Sequence, residues 1–255
     1  MKSFNTITVT EQESVATLTF NRPYLLNAMN REMMDEIIDA LKMIVENEGN
    51  RVAVITGTGR AFMAGADIKE YAVQTVEQFK AFQNKGKELY QLIEDAGIPF
   101  IAAVNGVALG GGFEIALACD MIIASETAKM GLPEVHLGLI PGGGGTHRLV
   151  QKIGLNRVRE MLMLGNAYTA KQMLDWGIVN SVSTENDLSI AVKETADKLK
   201  RRPAQSLKVF KQLLKPQAIE LPFVQRIEQE GIEVLDLFYS PLAQDLINQF
   251  VSKNK

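Results

Sequence analysis

The sequence predicts an α/β fold: a core of about 195 residues made of repeated strand–strand–helix units, continued by a helical appendage. Three observations point there. Short runs rich in Val, Ile, Thr and Phe alternate with longer stretches of helical periodicity as far as residue 182. Glycine and proline punctuate the joins. From about residue 185 strand signals stop and the chain reads as helix, although no exact repeat is visible. The expected division is 1–195 for the core and 196–255 for the helical region.

Taken in order, Thr6 to Thr10 and Val15 to Phe20 alternate β-branched or aromatic residues with polar ones across EQES and predict a hairpin. NRPYLLNAMN follows as a loop. Asn30 is a fitting N-cap for a helix with Met34, Ile37, Ile38, Leu41, Ile44 and Val45 on one face, ended by Gly49. Val52 to Thr56 predicts a buried strand, and GTGRAFMAGADIKEY a Gly-rich loop. Its GTG fails as a dinucleotide fingerprint, because Phe62 stands where the third glycine belongs. Residues 75–95 predict a helix with Val76, Phe79, Phe82, Leu89 and Leu92 on its apolar side, and Phe100 to Val104 a second buried strand. A loop from Asn105, a helix opened by Gly110 to Gly112 and a strand Met121 to Ala124 come next. PGGGGTHRL lacks the Lys-Ser/Thr pair of a nucleotide phosphate loop. Helices at 146–152, 154–164 and 170–176, broken at Gly154 and Gly177, lead to a last short strand, Ile178 to Val182.

Two glutamates stand out. In DAGIPFIAAVNGVALGGGFEIALACD, Glu114 is the only charge between Asp95 and Asp120; in KMGLPEVHLGLIPGGGGTHR, Glu134 is the only charge between Lys129 and Arg148. A carboxylate in apolar surroundings is costly to keep ionised, so its pKa rises or its charge serves a purpose. The plain alternative is a Glu that points to solvent or caps a backbone group. Gly110, Gly111 and Gly112 weigh against it: three glycines are poor helix formers, and their use is main-chain N–H groups open to a negative oxygen. Two such glutamates in adjacent Gly-rich segments suggest an acid–base pair.

Composition narrows the rest. With 255 residues, 46% of them hydrophobic, the chain can bury a full core. A net charge of −3 gives no bulk attraction to nucleic acid. The single Cys119 excludes an internal disulfide framework and suits a reducing, cytoplasmic setting, and two histidines are too few for a His-rich metal site. No signal-like segment and no run of about 18 apolar residues is present, so a soluble protein without membrane partners is expected. Residues 190–215 hold eight Lys or Arg against two acidic residues, and 220–236 five acidic residues against Arg226. These are expected to be solvated faces and helix-to-helix pairings rather than an RNA surface.

IAAVNGVALGGGFEIALACD, GLPEVHLGLIPGGGGTHRL, AGADIKE at 64–70 and NRPYLLNAM at 21–29 together resemble the enoyl-CoA hydratase (crotonase) family over nearly the whole chain, in order and spacing. The resemblance implies a crotonase-like spiral of ββα units with a C-terminal helical trimerisation region, and a homotrimer or dimer of trimers. It implies hydration of a trans-2-enoyl-CoA to a 3-hydroxyacyl-CoA with no metal or separate cofactor, coenzyme A being part of the substrate; the alternative within the family is an enoyl-CoA isomerase. Glu114 and Glu134 match the catalytic carboxylates, and the N–H groups of Ala66 and Gly111 the oxyanion hole. Leu26, Ala64, Gly65, Asp67, Ile68, Phe250 and Lys253 match positions that hold CoA. Tyr24 stands where many members carry a basic residue, and Leu132 where some hydratases carry Gln.

Overall fold

The computed structural model describes residues 3–253, apart from the side chains of Pro216, Gln217 and Lys253. The chain opens with the expected hairpin, β1 (Ile7–Gln12) and β2 (Val15–Phe20), paired antiparallel with Ile7 opposite Phe20. Glu13 and Ser14 take φ of 50° and 65° in its two-residue turn, which matches the twist of the flanking strands. Asn30 caps α1 (Arg31–Glu46) by accepting the N–H of Met33 at 3.0 Å, and Met33, Met34, Ile37, Leu41 and Ile44 form its buried face.

There follow β3 (Val52–Gly57), β4 (Ala61–Met63), α2 (Ile68–Tyr71), α3 (Val76–Asp95), β5 (Phe100–Val104), β6 (Val107–Leu109) and α4 (Gly111–Ala118). Then come β7 (Met121–Ser125), β8 (Lys129–Gly131), α5 (Gly145–Leu164), β9 (Ala167–Thr169), α6 (Ala170–Asp175) and β10 (Ser181–Ser183). The chain ends in α7 (Leu188–Lys200), α8 (Ala204–Leu213), α9 (Pro216–Ile219), α10 (Phe223–Phe238) and α11 (Pro241–Lys253).

The strands form two sheets, one in the order β1-β2-β3-β5-β7-β10 and one in the order β4-β6-β8-β9. Apart from the β1/β2 and β8/β9 pairs, neighbours run parallel. Each turn of the chain lays one strand in the first sheet and the next in the second before a helix returns it: β3 then β4, β5 then β6, β7 then β8. This is the expected ββα spiral. The second sheet itself was not expected, because its strands are three residues long and show no usable alternation.

The central strands are covered on both faces, which is why they read as unbroken apolar runs. Ala53, Ile55, Phe100, Ala102 and Val104 join the main core with α1, α3 and α4, while Val52, Val54, Ile101 and Ala103 meet Leu188, Val192 and Ala196 of α7. Three details differ from expectation. Val76 is 64% exposed, since the first turn of α3 precedes its contact with the core. The last strand pairs at Ser181–Ser183, while Ile178 and Val179 are buried in the preceding turn. The helix α7 packs against the sheet and runs unbroken through position 195 to Lys200. Gly154, at φ 73°, breaks α5 as expected.

Candidate active site

A cavity of about 330 Å³ opens where the loops after β4 and β6, the turn Glu134–Leu137 and one side of α3 converge. Its wall includes Ala64, Gly65, Ala66, Gly110, Gly111, Glu114 and Glu134. A second cavity of about 330 Å³, between α7 and the outer face of the large sheet, contains none of the expected site residues.

Local backbone chemistry explains the convergence. Asn27 is fully buried at φ 57°; its side chain donates to the carbonyls of Ala61 (2.8 Å) and Phe62 (3.1 Å) and accepts the N–H of Arg22 (2.9 Å). It ties the 21–29 loop to β4, a role invisible in a stretch read only as a loop. The N–H of Met29 donates to Gly65 and the N–H of Asp67 to Met29, at 2.8 and 2.9 Å. In such a parallel bridge the flanking residues carry the bonds, so the N–H of Ala66 faces the other way. Arg22 fastens the far side of this loop through the carbonyl of Ala28 and the carboxylate of Asp67, the latter at 3.2 Å.

The helix α4 starts immediately beyond Gly110, whose φ of 52° and ψ of −128° suit glycine alone. A Cβ on Gly112 would stand 2.1 Å from the carbonyl oxygen of Met63, so this residue lets α4 pack against β4. The N–H of Gly111, at the first helical position, has no intrahelical partner. Glycines 110 and 65 abut: a Cβ on Gly110 would lie 3.8 Å from Cα of Gly65. The two expected oxyanion donors, Ala66 and Gly111, thus sit in neighbouring loops on one cavity.

Glu114 is 3% exposed, and its Oε1 accepts two main-chain N–H groups, from Gly143 and Gly145, each at 2.8 Å. The PGGGG run, set aside as a nucleotide loop, therefore cradles a carboxylate of the protein itself. Glu114 caps the first turn of α5, as in the plainer reading, and also lines the cavity. Burial raises its pKa, opposed by the two N–H groups, the charge of Arg148 and the phenol of Tyr90. Arg148 steadies the cradle by donating to the carbonyl of Gly143 and pairing with Glu94 at 2.7 Å. Tyr90 and Arg148 escaped the sequence reading; for Tyr90 the only sign was its place one helical turn beyond Gly86 on α3. Leu132, 1% exposed, packs against this cradle.

Glu134 presents the opposite picture. Its Oε2 is buried without a hydrogen-bond partner. Burial, aided by the charge of Glu114 and opposed by its own backbone N–H, pushes its pKa up to about 7. A Cβ on Gly110 would lie 3.1 Å from its Oε1, which places the carboxyl directly over the start of α4.

The remaining expected residues divide. Leu26 is half-buried at φ 52°, its carbonyl accepting the N–H of Ala64 at 3.0 Å. Ile68 is 49% exposed beside the cavity, and the carboxylate of Asp67 is engaged by Arg22. Phe250 lies on α11, 72% exposed and outside the cavity wall, and the side chain of Lys253 lies outside the described residues. Tyr24 is 85% exposed. Cys119 is buried, with its pKa raised by burial, as expected of a core residue. Several cations of the 190–215 stretch are paired within the chain: Lys200 with Asp197 and Glu13, Lys211 with Asp120, and Lys215 with Asp95. Among the described residues no group of three or more His, Cys, Asp or Glu is placed to hold a metal, and no helix is long and apolar enough to cross a membrane.

The chain is thus a two-sheet spiral that sets two carboxyls, one buried and one half-buried, and two neighbouring main-chain donors on one cavity. The model of the enoyl-CoA hydratase/isomerase family matches residues 10–255, and the chain belongs to that family. It is 34% identical to a short-chain-enoyl-CoA hydratase of Clostridium acetobutylicum, over 98% of this chain and 96% of the relative. It is 36% identical to a 2,3-dehydroadipyl-CoA hydratase of Escherichia coli, over 81% of this chain and 80% of the relative. The fold matches an enoyl-CoA hydratase subunit I of Geobacillus kaustophilus with a TM-score of 0.93 at 37% identity, covering 100% of this chain and 98% of that one. The crotonase-type fold expected from the motifs is the one present.

Proposed function

We propose that the protein adds water across the C2=C3 bond of a trans-2-enoyl-CoA to give the 3-hydroxyacyl-CoA. The observation that carries this reading is the unequal pair of carboxyls on one cavity. Glu114 has two N–H donors on one oxygen, which favours its anion; Glu134 has an oxygen with no partner and a pKa of about 7. In the proposed reaction a water held between them loses a proton to Glu114 as its oxygen bonds to C3. The alkene electron pair moves onto the thioester oxygen, which the N–H groups of Ala66 and Gly111 receive. Such donors contribute on the order of 3 kcal/mol each in comparable sites. The enolate collapses as C2 takes the proton of Glu134 on the same face, and proton exchange with solvent resets the pair. Alkene and water become an alcohol without change of redox state, so the step calls for no separate cofactor.

We assign the CoA moiety to the loop Ala64–Ile68 and Leu26, with Phe250 and Lys253 as outer contacts. The region 196–255 is assigned to self-association into a homotrimer, alone or as a dimer of trimers. Supporting this, α10 carries an apolar face yet buries no residue within the chain, leaving Phe223 67%, Ile232 61% and Leu235 56% exposed. The same reading places the enzyme in the cytoplasm, away from membranes and RNA; the buried Cys119 and the internally paired lysines support it. Hydration of crotonyl-CoA, followed by loss of the enoyl thioester absorbance, tests the function. Glu114→Ala and Glu134→Ala are each expected to cut turnover by about 10²-fold or more while CoA binding persists. Undiminished hydration by either variant refutes the assigned roles, and double-bond migration in a 3-enoyl-CoA without hydration would make the protein an isomerase.

A further inference from the structure

The cavity runs on past the glutamates along α3, whose residues Phe79, Phe82, Gly86 and Tyr90 line it. Gly86 leaves the passage open: a Cβ there would meet only the ends of Tyr90 and Met34, at 3.7 and 3.8 Å. This is the space available to an acyl chain beyond C3. Along α3 and the facing Tyr71 this wall is aromatic and aliphatic except at one point. Gln83 donates through Nε2 to the hydroxyl of Tyr71 at 3.0 Å, and both residues line the cavity.

The pair is fixed from several sides. The ring of Tyr71 stands edge-on to Phe79 at 5.3 Å and to Phe82 at 5.4 Å between centroids. On the other side Gln83 closes on Gly142, where a Cβ would stand 2.6 Å from its Oε1. With its oxygen accepting from Gln83, the phenol keeps its own O–H to give, and the amide keeps a second N–H. A saturated alkyl chain laid over this point would strip water from two donors and return nothing, a cost comparable to losing a hydrogen bond. A site built around polar groups discriminates most strongly against the analogue that cannot pair with them.

Resting on the hydratase reading, we propose that Tyr71 and Gln83 form a specificity point for a neutral oxygen acceptor, a carbonyl or hydroxyl, carried on the acyl chain beyond C3. A carboxylate is disfavoured there, because Glu114 and Glu134 face the same cavity and no Lys or Arg lines it.

The test compares hex-2-enoyl-CoA with its 5-oxo and 6-hydroxy derivatives and with the charged hex-2-enedioyl-CoA, in the wild type and in Tyr71→Phe and Gln83→Leu. The phenylalanine keeps the ring contacts, so folding is preserved. At least one neutral oxygenated substrate is expected to exceed hexenoyl-CoA in kcat/KM by about tenfold, and Tyr71→Phe to erase that ratio while hexenoyl-CoA turnover holds or rises. A role confined to bracing α2 against α3 would lower all substrates in parallel. Such a parallel loss, no preference for either neutral oxygenated substrate in the wild type, or a preference for the dicarboxylic substrate overturns the proposal. Absence of hydration with every substrate, crotonyl-CoA included, would instead overturn the hydratase reading.

Discussion

Replacing Glu134 by Gln should make the protein less active and, at alkaline pH, relatively more stable. The carboxyl is held at about 7 in the folded chain against an ordinary 4.5. Between those values the folded state keeps a proton that the unfolded chain has released, so stability is lost as pH rises through the interval and stays low above it. The interval corresponds to about 3 kcal/mol; because the side chain is partly exposed, solvent screening reduces this to roughly 2 kcal/mol. Gln mimics the protonated acid and carries no such penalty. Urea unfolding at pH 5 and pH 8, at one fixed protein concentration, should therefore show the wild type losing roughly 2 kcal/mol more than Glu134→Gln over that range. Hydration by the variant should fall by about 10² to 10⁴, and wild-type kcat/KM should decline above pH ~7 as the acid deprotonates. Equal pH-dependent loss in the two proteins would show that Glu134 is not a carboxyl held protonated by burial, and its role as the acid would fall with it.

Two further substitutions probe the backbone around the site. Gly145→Ala would set a methyl 3.0 Å from Oε1 of Glu114 and 2.8 Å from Cδ1 of Leu132. A cost of about 1–3 kcal/mol in thermal unfolding is expected, with turnover at least tenfold lower; unaltered hydration in Gly145→Ala would show that the cradle is not needed. Arg22→Ala removes the clamp from Ala28 and Asp67 to the loop carrying Ala66. Steady-state kinetics should show kcat reduced about tenfold with KM changed less, and an unchanged kcat would mean that the main-chain bonds to Leu26 and Met29 hold the loop without Arg22.

How much of this was legible in the sequence depended on the length scale of each signal. The helix α1 and the strands β2, β3 and β5 announced themselves because apolar positions repeat at the right period or fill a doubly buried strand. The two glutamates were conspicuous for the opposite reason, as lone charges in long apolar runs. The second sheet was hidden because its pairing is decided by contacts across the spiral, as where Leu109 meets Gly131, and not by anything within three residues. Asn27 and Arg148 were hidden too. Asn27 acts through the carbonyls of Ala61 and Phe62, distant in sequence, and Arg148 through the carbonyl of Gly143 and the distant Glu94; a carbonyl leaves no mark in a sequence, and neither does a pairing over such a separation.

The geometry also explains why the two Gly-rich segments depend on each other. Gly110, in the segment of Glu114, leaves room for the carboxyl of Glu134; Gly143 and Gly145, in the segment of Glu134, donate to the carboxyl of Glu114. Each acid is thus accommodated by the main chain of the other's motif. The exchange is unequal, for one partner receives two N–H donors and the other an open space. Two glutamates of identical chemistry, both raised in proton affinity by burial, thus meet unlike surroundings: main-chain donors, Arg148 and Tyr90 oppose the rise in Glu114, while the neighbouring charge of Glu114 adds to it in Glu134, which is the asymmetry the proposed division between base and acid requires.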